Sequence, residues 1–217
     1  MALHFSGFAE PFLNPQCIDM IEYAYAQGYK IILFSTLVGL KSKDVKRLSH
    51  CNPEVTLHLP DNLGNAKIPL TQAYRDTLTA AIKQLRISTF YIMNERFITN
   101  ERAGSCANTQ ERHLRGWLFC EKLYVPQFVM LPNCDVVLCC MDFGLKHPLG
   151  NLASQSWLDI TRSAEYQRVC TNRFKTKGDI LCRRCAWASA NFRTRYYIKR
   201  VVQRYQAKQC IEQYRKK

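Results

Sequence analysis

The sequence has no apolar run long enough to cross a membrane. Its longest apolar stretches, such as Ile31-Ile32-Leu33-Phe34, fall far short of the ~20 residues a spanning helix needs. The opening MALHFSGFAE lacks the basic segment and apolar core of a secretory leader. Both absences predict a cytoplasmic protein with no membrane partner. Acidic residues are scarce: 17 Asp and Glu against 31 Lys and Arg leave a net charge of +14, which suits an anionic partner or prosthetic group. No internal repeat is visible, which excludes solenoids and propellers. Disorder is excluded as well, since 47% of the 217 residues are hydrophobic and 22% charged, as in a globular chain with a real core.

Cysteine is abundant and unevenly placed. Of eleven, eight lie between Cys106 and Cys185, and the first hundred residues hold only Cys17 and Cys51. An odd count without an export signal argues against a disulfide scaffold and for metal or cluster ligation. The charge is uneven too. Residues 191–217 carry nine Lys or Arg against the single acid Glu212, a local +8 out of +14. Three parts follow: an α/β segment over 1–100, a cysteine-bearing module over 101–190, and a basic tail over 191–217.

In the first part, residues 2–5, 31–36, 54–59 and 87–93 read as short buried strands. Helical patterns fit between them. Asn14 caps one helix with Pro15 at its first position and Gly28 closing it, placing Ile18, Ile21 and Tyr25 on one face. Others fit about 41–49 and 71–85. Strand and helix in alternation predict parallel βα units, whose functional groups gather at the C-terminal strand ends. That rim carries Ser6-Gly7-Phe8-Ala9-Glu10, Ser35-Thr36 and His58. Farther on, 125–130 and 136–141 read as a hairpin, Gly150-Asn151 as a turn, and Ser156 to Asp159 as a capping box opening a helix towards Arg168.

Cys182-Arg183-Arg184-Cys185 is the sharpest local signal, because a C-x-x-C sets two thiolates on one tight turn facing one metal or cluster edge. The remaining donors must come from upstream: Cys120 and one of Cys139 and Cys140. Spacing alone does not separate zinc from an iron–sulfur centre. The basic residues Arg173, Lys175, Lys177, Arg183 and Arg184 would offset an anionic cluster, or simply form a solvated loop.

From Cys120 the sequence runs through DVVLCCMDFGLKHPLGNLASQSWLDITRSAEYQRVC to LCRRC. This resembles the C-terminal auxiliary-cluster domain, of the SPASM or twitch type, of radical S-adenosylmethionine (SAM) enzymes: a cysteine, a C-C-x-D strand end, a Leu-Gly-Asn turn, a helix with a buried Trp, and a closing C-x-x-C. Arg102-Ala103-Gly104 is similar to the family's lead-in, and Asp135 stands where the family often has Gly. Residues 5–15 resemble the family's G-x-G-E-P-L-x-x-P segment after the second barrel strand, while Leu37-Val38 departs from its usual Thr-Asn-Gly-like turn.

The resemblance implies a partial, TIM-like parallel barrel followed by a small α+β cluster module and a basic C-terminal helix. It implies one [4Fe–4S] cluster on Cys120, Cys139, Cys182 and Cys185, with Cys140 as substitute for Cys139. It also implies SAM contacts at Gly7, Glu10 and Thr36, and a peptide or small-molecule precursor as substrate. The family's C-x-x-x-C-x-x-C loop is absent from the sequence. The expectation is therefore a chain inactive in SAM cleavage alone, with another polypeptide supplying the first βα unit and covering the unpaired edge of strand 2–5. Two competing readings stay open: a zinc-stabilised structural or interaction protein, and a basic nucleic-acid-binding module, for which no recognised motif speaks. In the tail, Ile198, Val201, Val202 and Tyr205 fall at helical spacing.

Overall fold

A computed structural model describes residues 1–94, 102–105, 113–120, 127–176 and 178–190. These form two compact units, one within residues 1–98 and one within 99–194. The basic tail from 191 lies outside the described residues, as does Cys106.

The first unit is a parallel sheet in sequential order, β1 (Ala2–Phe5), β2 (Lys30–Ser35), β3 (Glu54–Pro60) and β4 (Arg86–Met93), with β1 and β4 at its edges among the described residues. Ile31, Leu33, Ser35, Val55, Leu57 and Ile87 are buried on one face, as the period-2 pleat requires. Ile21 and Ala24 of α1 (Cys17–Ala26), Val45 and Leu48 of α2 (Val45–His50), and Tyr74 and Ala81 of α3 (Gln72–Gln84) complete that core. The sheet thus has the helix-covered form expected from alternating strand and helix signals, with strand ends within one residue of those expected.

Helix α1 starts later than the sequence signal. Asn14 does not cap it; its Oδ1 accepts the Gln16 amide at 3.0 Å and closes a local turn, with Gln16 in the cap position. Of the expected face, Ile21 is buried and Ile18 packs on the core, with Cys17 and Ala24 beside them, whereas Tyr25 is 47% exposed. Gly28 closes α1 as expected. At φ +82° its amide bonds to Tyr25 O, and the Tyr29 amide to Ala24 O, a Schellman ending. Thr71 caps α3 by accepting the Tyr74 amide at 3.2 Å.

The second unit has little regular structure. β5 (Val129–Met130), β6 (Asp135–Val137) and β7 (Pro148–Asn151) form a three-stranded antiparallel sheet. Residues 125 and 126 of the expected hairpin lie outside the described residues; its second strand ends at Val137 rather than Met141, and Gly150-Asn151 belongs to β7 rather than to a turn. Burying Leu149 against Val136 and Ile160 draws that segment into the sheet. The capping box is present: Ser156 Oγ accepts the Asp159 amide at 3.2 Å and Asp159 Oδ2 accepts the Ser156 amide at 3.1 Å. The helix stops early, however, because Ser163 caps a second one. The result is α4 (Trp157–Thr161) and α5 (Ala164–Asn172). Trp157, expected to be buried, is 45% exposed and lies over Phe128 at 5.5 Å. Among the described residues no helix is long and apolar enough to cross a membrane.

Gly39 lies where the loop after β2 meets the short helical turn Pro11–Leu13. It has φ +90°, and a Cβ there would sit 2.4 Å from Phe12 O. Gly39→Ala is expected to cost ~1–3 kcal/mol in denaturant unfolding. Gly64→Ala, at φ +79° with nothing within 4 Å, should cost only the backbone strain of about 1 kcal/mol. Equal losses would show that the Phe12 contact yields freely.

Candidate functional site

At the C-terminal rim of the parallel sheet, Glu10 is the organising residue. Its Oε1 accepts the Ser35 hydroxyl at 2.7 Å and the Phe12 amide at 3.3 Å. Its Oε2 accepts both the Thr36 amide and the Thr36 hydroxyl at 2.6 Å. The Thr36 carbonyl accepts the Tyr74 hydroxyl at 2.9 Å, and burial, then the Glu10 charge, push that phenol up to about 12. Glu10 and Thr36 are thus brought together, as the sequence expects of rim residues, and their polar atoms engage the protein itself. Gly7 lies in the bend between β1 and Glu10, at φ +130°. His58 lies within β3 rather than past its end. Its ring stands between Phe34 at 6.4 Å and Tyr91 at 5.8 Å, and His4 stacks on Phe34 at 6.1 Å, so four rings cross the sheet. The Cys17 thiol, buried in the helix-covered core, is raised to about 11 by that burial and then by Glu10.

The cysteine site is in the second unit. Cys120, Cys139, Cys182 and Cys185 line one cavity together with Leu138, Met141, Leu181 and Ala188. The thiols arrive on separate stretches of chain. Cys120 ends the 113–120 segment, whose Phe119 pairs with Ser189 through amide bonds of 2.8 and 3.0 Å. Cys139 follows β6, and Cys182 and Cys185 come from the turn at Leu181–Arg183. Cys139 is buried and lines the cavity; Cys140 is half-buried and does not. Arg102 Nη1 donates to the Cys140 carbonyl at 2.7 Å, from a stretch in which Arg102 and Ala103 adopt positive φ.

Burial pushes the Cys182 thiol well up, and the thiols of Cys139, Cys120 and Cys185 push it further. Cys185 is raised to about 11, again by burial first, although the amides of Trp187 and Ala188 favour its thiolate. Such a set takes up negative charge only together with a cation that compensates it, and soft sulfur donors suit iron–sulfur centres and zinc. Among the described residues, no three His, Cys, Asp or Glu side chains form a group that could hold a metal ion.

Polar side chains hold these loops together, and sequence reasoning gave none of them this role. Arg183, read from the sequence as a basic loop residue that offsets a cluster or faces solvent, is 1% exposed. It donates to the carbonyls of Gly178, Leu114, Gly116 and Asn172 at 2.8–3.1 Å, and to that of Lys175. Asp142, fully buried, accepts the Lys146 and His147 amides at 2.8 Å each. His147, 4% exposed, lies 2.5 Å from Glu165 through Nδ1 and accepts the Leu181 amide on Nε2 at 3.1 Å. Arg168 first, then His147, hold the Glu165 carboxyl down to about 2 against its partial burial. Asp142 stood within the C-C-x-D pattern, so a signal for it existed; nothing in the sequence marked His147 or separated Arg183 from Arg184.

Comparison with known proteins agrees with this geometry. Residues 120–186 match the model of SPASM, an iron–sulfur cluster-binding domain, whose limits nearly coincide with Cys120 and Cys185. No curated protein sequence matches. Two solved structures share the fold. BtrN in complex with AdoMet and 2-DOIA has 13% sequence identity and a TM-score of 0.55, over 80% of this chain and 66% of that one. Selenomethionine BtrN in an open conformation has 14% identity and a TM-score of 0.56, over 88% and 76%. This chain thus spans about two thirds of the first BtrN chain and three quarters of the second. The chain thus matches an iron–sulfur cluster-binding domain of the SPASM type over residues 120–186 and shares the fold of BtrN.

Proposed function

We propose that the second unit holds one auxiliary [4Fe–4S] cluster on Cys120, Cys139, Cys182 and Cys185, in a protein resembling the C-terminal part of a radical SAM enzyme. The observation that carries this reading is the meeting of four thiols from three separate segments around one cavity. Burial of Cys139 favours it over the half-buried Cys140. Bound there, the group supplies one-electron transfer, while Leu138, Met141, Leu181 and Ala188 keep water from the sulfurs.

In this reading the four-stranded sheet is part of a barrel. Its rim meets SAM through Gly7, on a ledge that Glu10 and Thr36 shape. The substrate is a peptide or a small-molecule precursor.

Cys182→Ser is expected to lose most of the bound iron after anaerobic reconstitution, and with it the melting-temperature gain that a native-state ligand confers. Cys17→Ser, in the other unit, should keep its iron. Equal iron in the two variants sinks the ligand set, and colourless protein with stoichiometric zinc favours the structural alternative.

The sequence carries no C-x-x-x-C-x-x-C, and a site of four thiolates is closed, lacking the open position that catalytic metal sites keep. These 217 residues alone are therefore expected to give no 5′-deoxyadenosine from SAM under strong reductant. Product appearing without any added polypeptide contradicts this; product appearing only with a polypeptide that bears the three-cysteine loop supports it.

Glu10→Gln replaces one acceptor oxygen with a donor that cannot take its bonds. It should destabilise the fold by ~1.5–3 kcal/mol whether or not SAM is present. A melting temperature unchanged without SAM but lowered with it would make Glu10 a ligand contact instead.

A further inference from the structure

We infer that His147 is a positioning residue of the thiol site, one imidazole that keeps two cysteine-bearing segments in register. The inference rests on the cluster reading above.

The first segment is the loop following β6. Here the Leu138 amide donates to the His147 carbonyl at 3.2 Å, and the Asp142 amide donates to the Cys139 carbonyl at 2.9 Å. The Asp142 carboxylate then accepts the His147 amide at 2.8 Å. Residues 138 to 147 are thereby closed into one loop with Cys139 near its start and His147 at its end. The second segment is the turn at Leu181–Arg183. The Leu181 amide stands at the start of that turn, where no carbonyl of the turn itself can accept it. His147 Nε2 accepts it at 3.1 Å, one residue before Cys182.

The bond works only in one tautomer. Nε2 accepts when the proton is on Nδ1, and Nδ1 lies 2.5 Å from Glu165 Oε1 on α5. Arg168 fixes that carboxylate through Nε and Nη2, both at 2.7 Å, and donates from Nη1 to the Asp179 carbonyl at 2.9 Å. Asp179 lies three residues before Cys182. The pair Glu165 and Arg168 therefore orients the ring from behind and steadies the approach to the same turn. A carboxylate fixing a histidine whose other nitrogen acts on a metal site is a recurrent arrangement. Here the nitrogen acts on the backbone of the segment that bears the cysteine.

Two substitutions separate the nitrogens. Glutamine places its oxygen near Nε2 and keeps an acceptor for Leu181; asparagine places its amide near Nδ1 and keeps only the donor to Glu165. In metal-free protein, hydrogen exchange at the Leu181 amide should stay near wild type in His147→Gln and accelerate about tenfold or more in His147→Asn and His147→Phe. After reconstitution, the half-time of iron loss to a chelator should follow the same order, with a drop of about tenfold or more for Asn and Phe. The electron paramagnetic resonance signal of the reduced centre should be unaltered only in the Gln variant. Asn matching wild type while Gln fails, or all three variants behaving alike, overturns the inference. Wild type that takes up no iron overturns the cluster reading instead, and the exchange comparison still decides the role of His147.

Discussion

Four cysteines, three of them buried and Cys120 half-buried, must meet from three stretches of chain that lie far apart in sequence, in a unit whose strands are only two to four residues long. Short ladders cannot align such loops. Side-chain hydrogen bonds to backbone do so instead: Arg183 to five carbonyls, Asp142 to two amides, His147 to one more. Each is buried, so each would be costly if left unmade. The cavity's shape follows from these bonds more than from apolar packing, which here is confined to a modest cluster around Leu118, Leu138, Val169 and Ile180.

The parallel unit solves a different problem. Here a larger apolar core sets helices against strands, and at the rim polar bonds join the loops. There Glu10 joins the loop after β1 to the end of β2 through three accepted bonds and takes a fourth from Phe12 in its own loop. A carboxylate so engaged gives the rim a fixed form instead of an adaptable one.

What was legible in the sequence follows the same division. Strands β2, β3 and β4 could be placed because runs such as Ile31 to Phe34 carry a local signal of burial, and Ser156 marks a helix start by side-chain chemistry that acts within three residues. The cysteines announced themselves by type and by the C-x-x-C spacing. What failed depended on distant partners. Tyr25 faces outwards because the side of α1 that meets the sheet carries Cys17, Ile21 and Ala24. β7 escaped notice because Pro148-Leu149-Gly150-Asn151 carries no alternation and joins the sheet only when Leu149 finds Val136 and Ile160. His147 and Arg183 looked like ordinary polar letters, since their acceptors and donors lie 34 and up to 69 residues away.

Arg183 and Arg184 stand side by side in the C-x-x-C, yet their substitution tolerance differs sharply. Arg184 is exposed, and lysine there changes little beyond hydration. Arg183 uses all five of its N–H donors on five separate carbonyls. Lysine, with three donors on one atom, serves at most three of them and cannot reach carbonyls spread over 114, 116, 172, 175 and 178 at once. The four-letter motif thus hides a positional requirement: of two identical letters side by side, the second can become lysine and the first cannot.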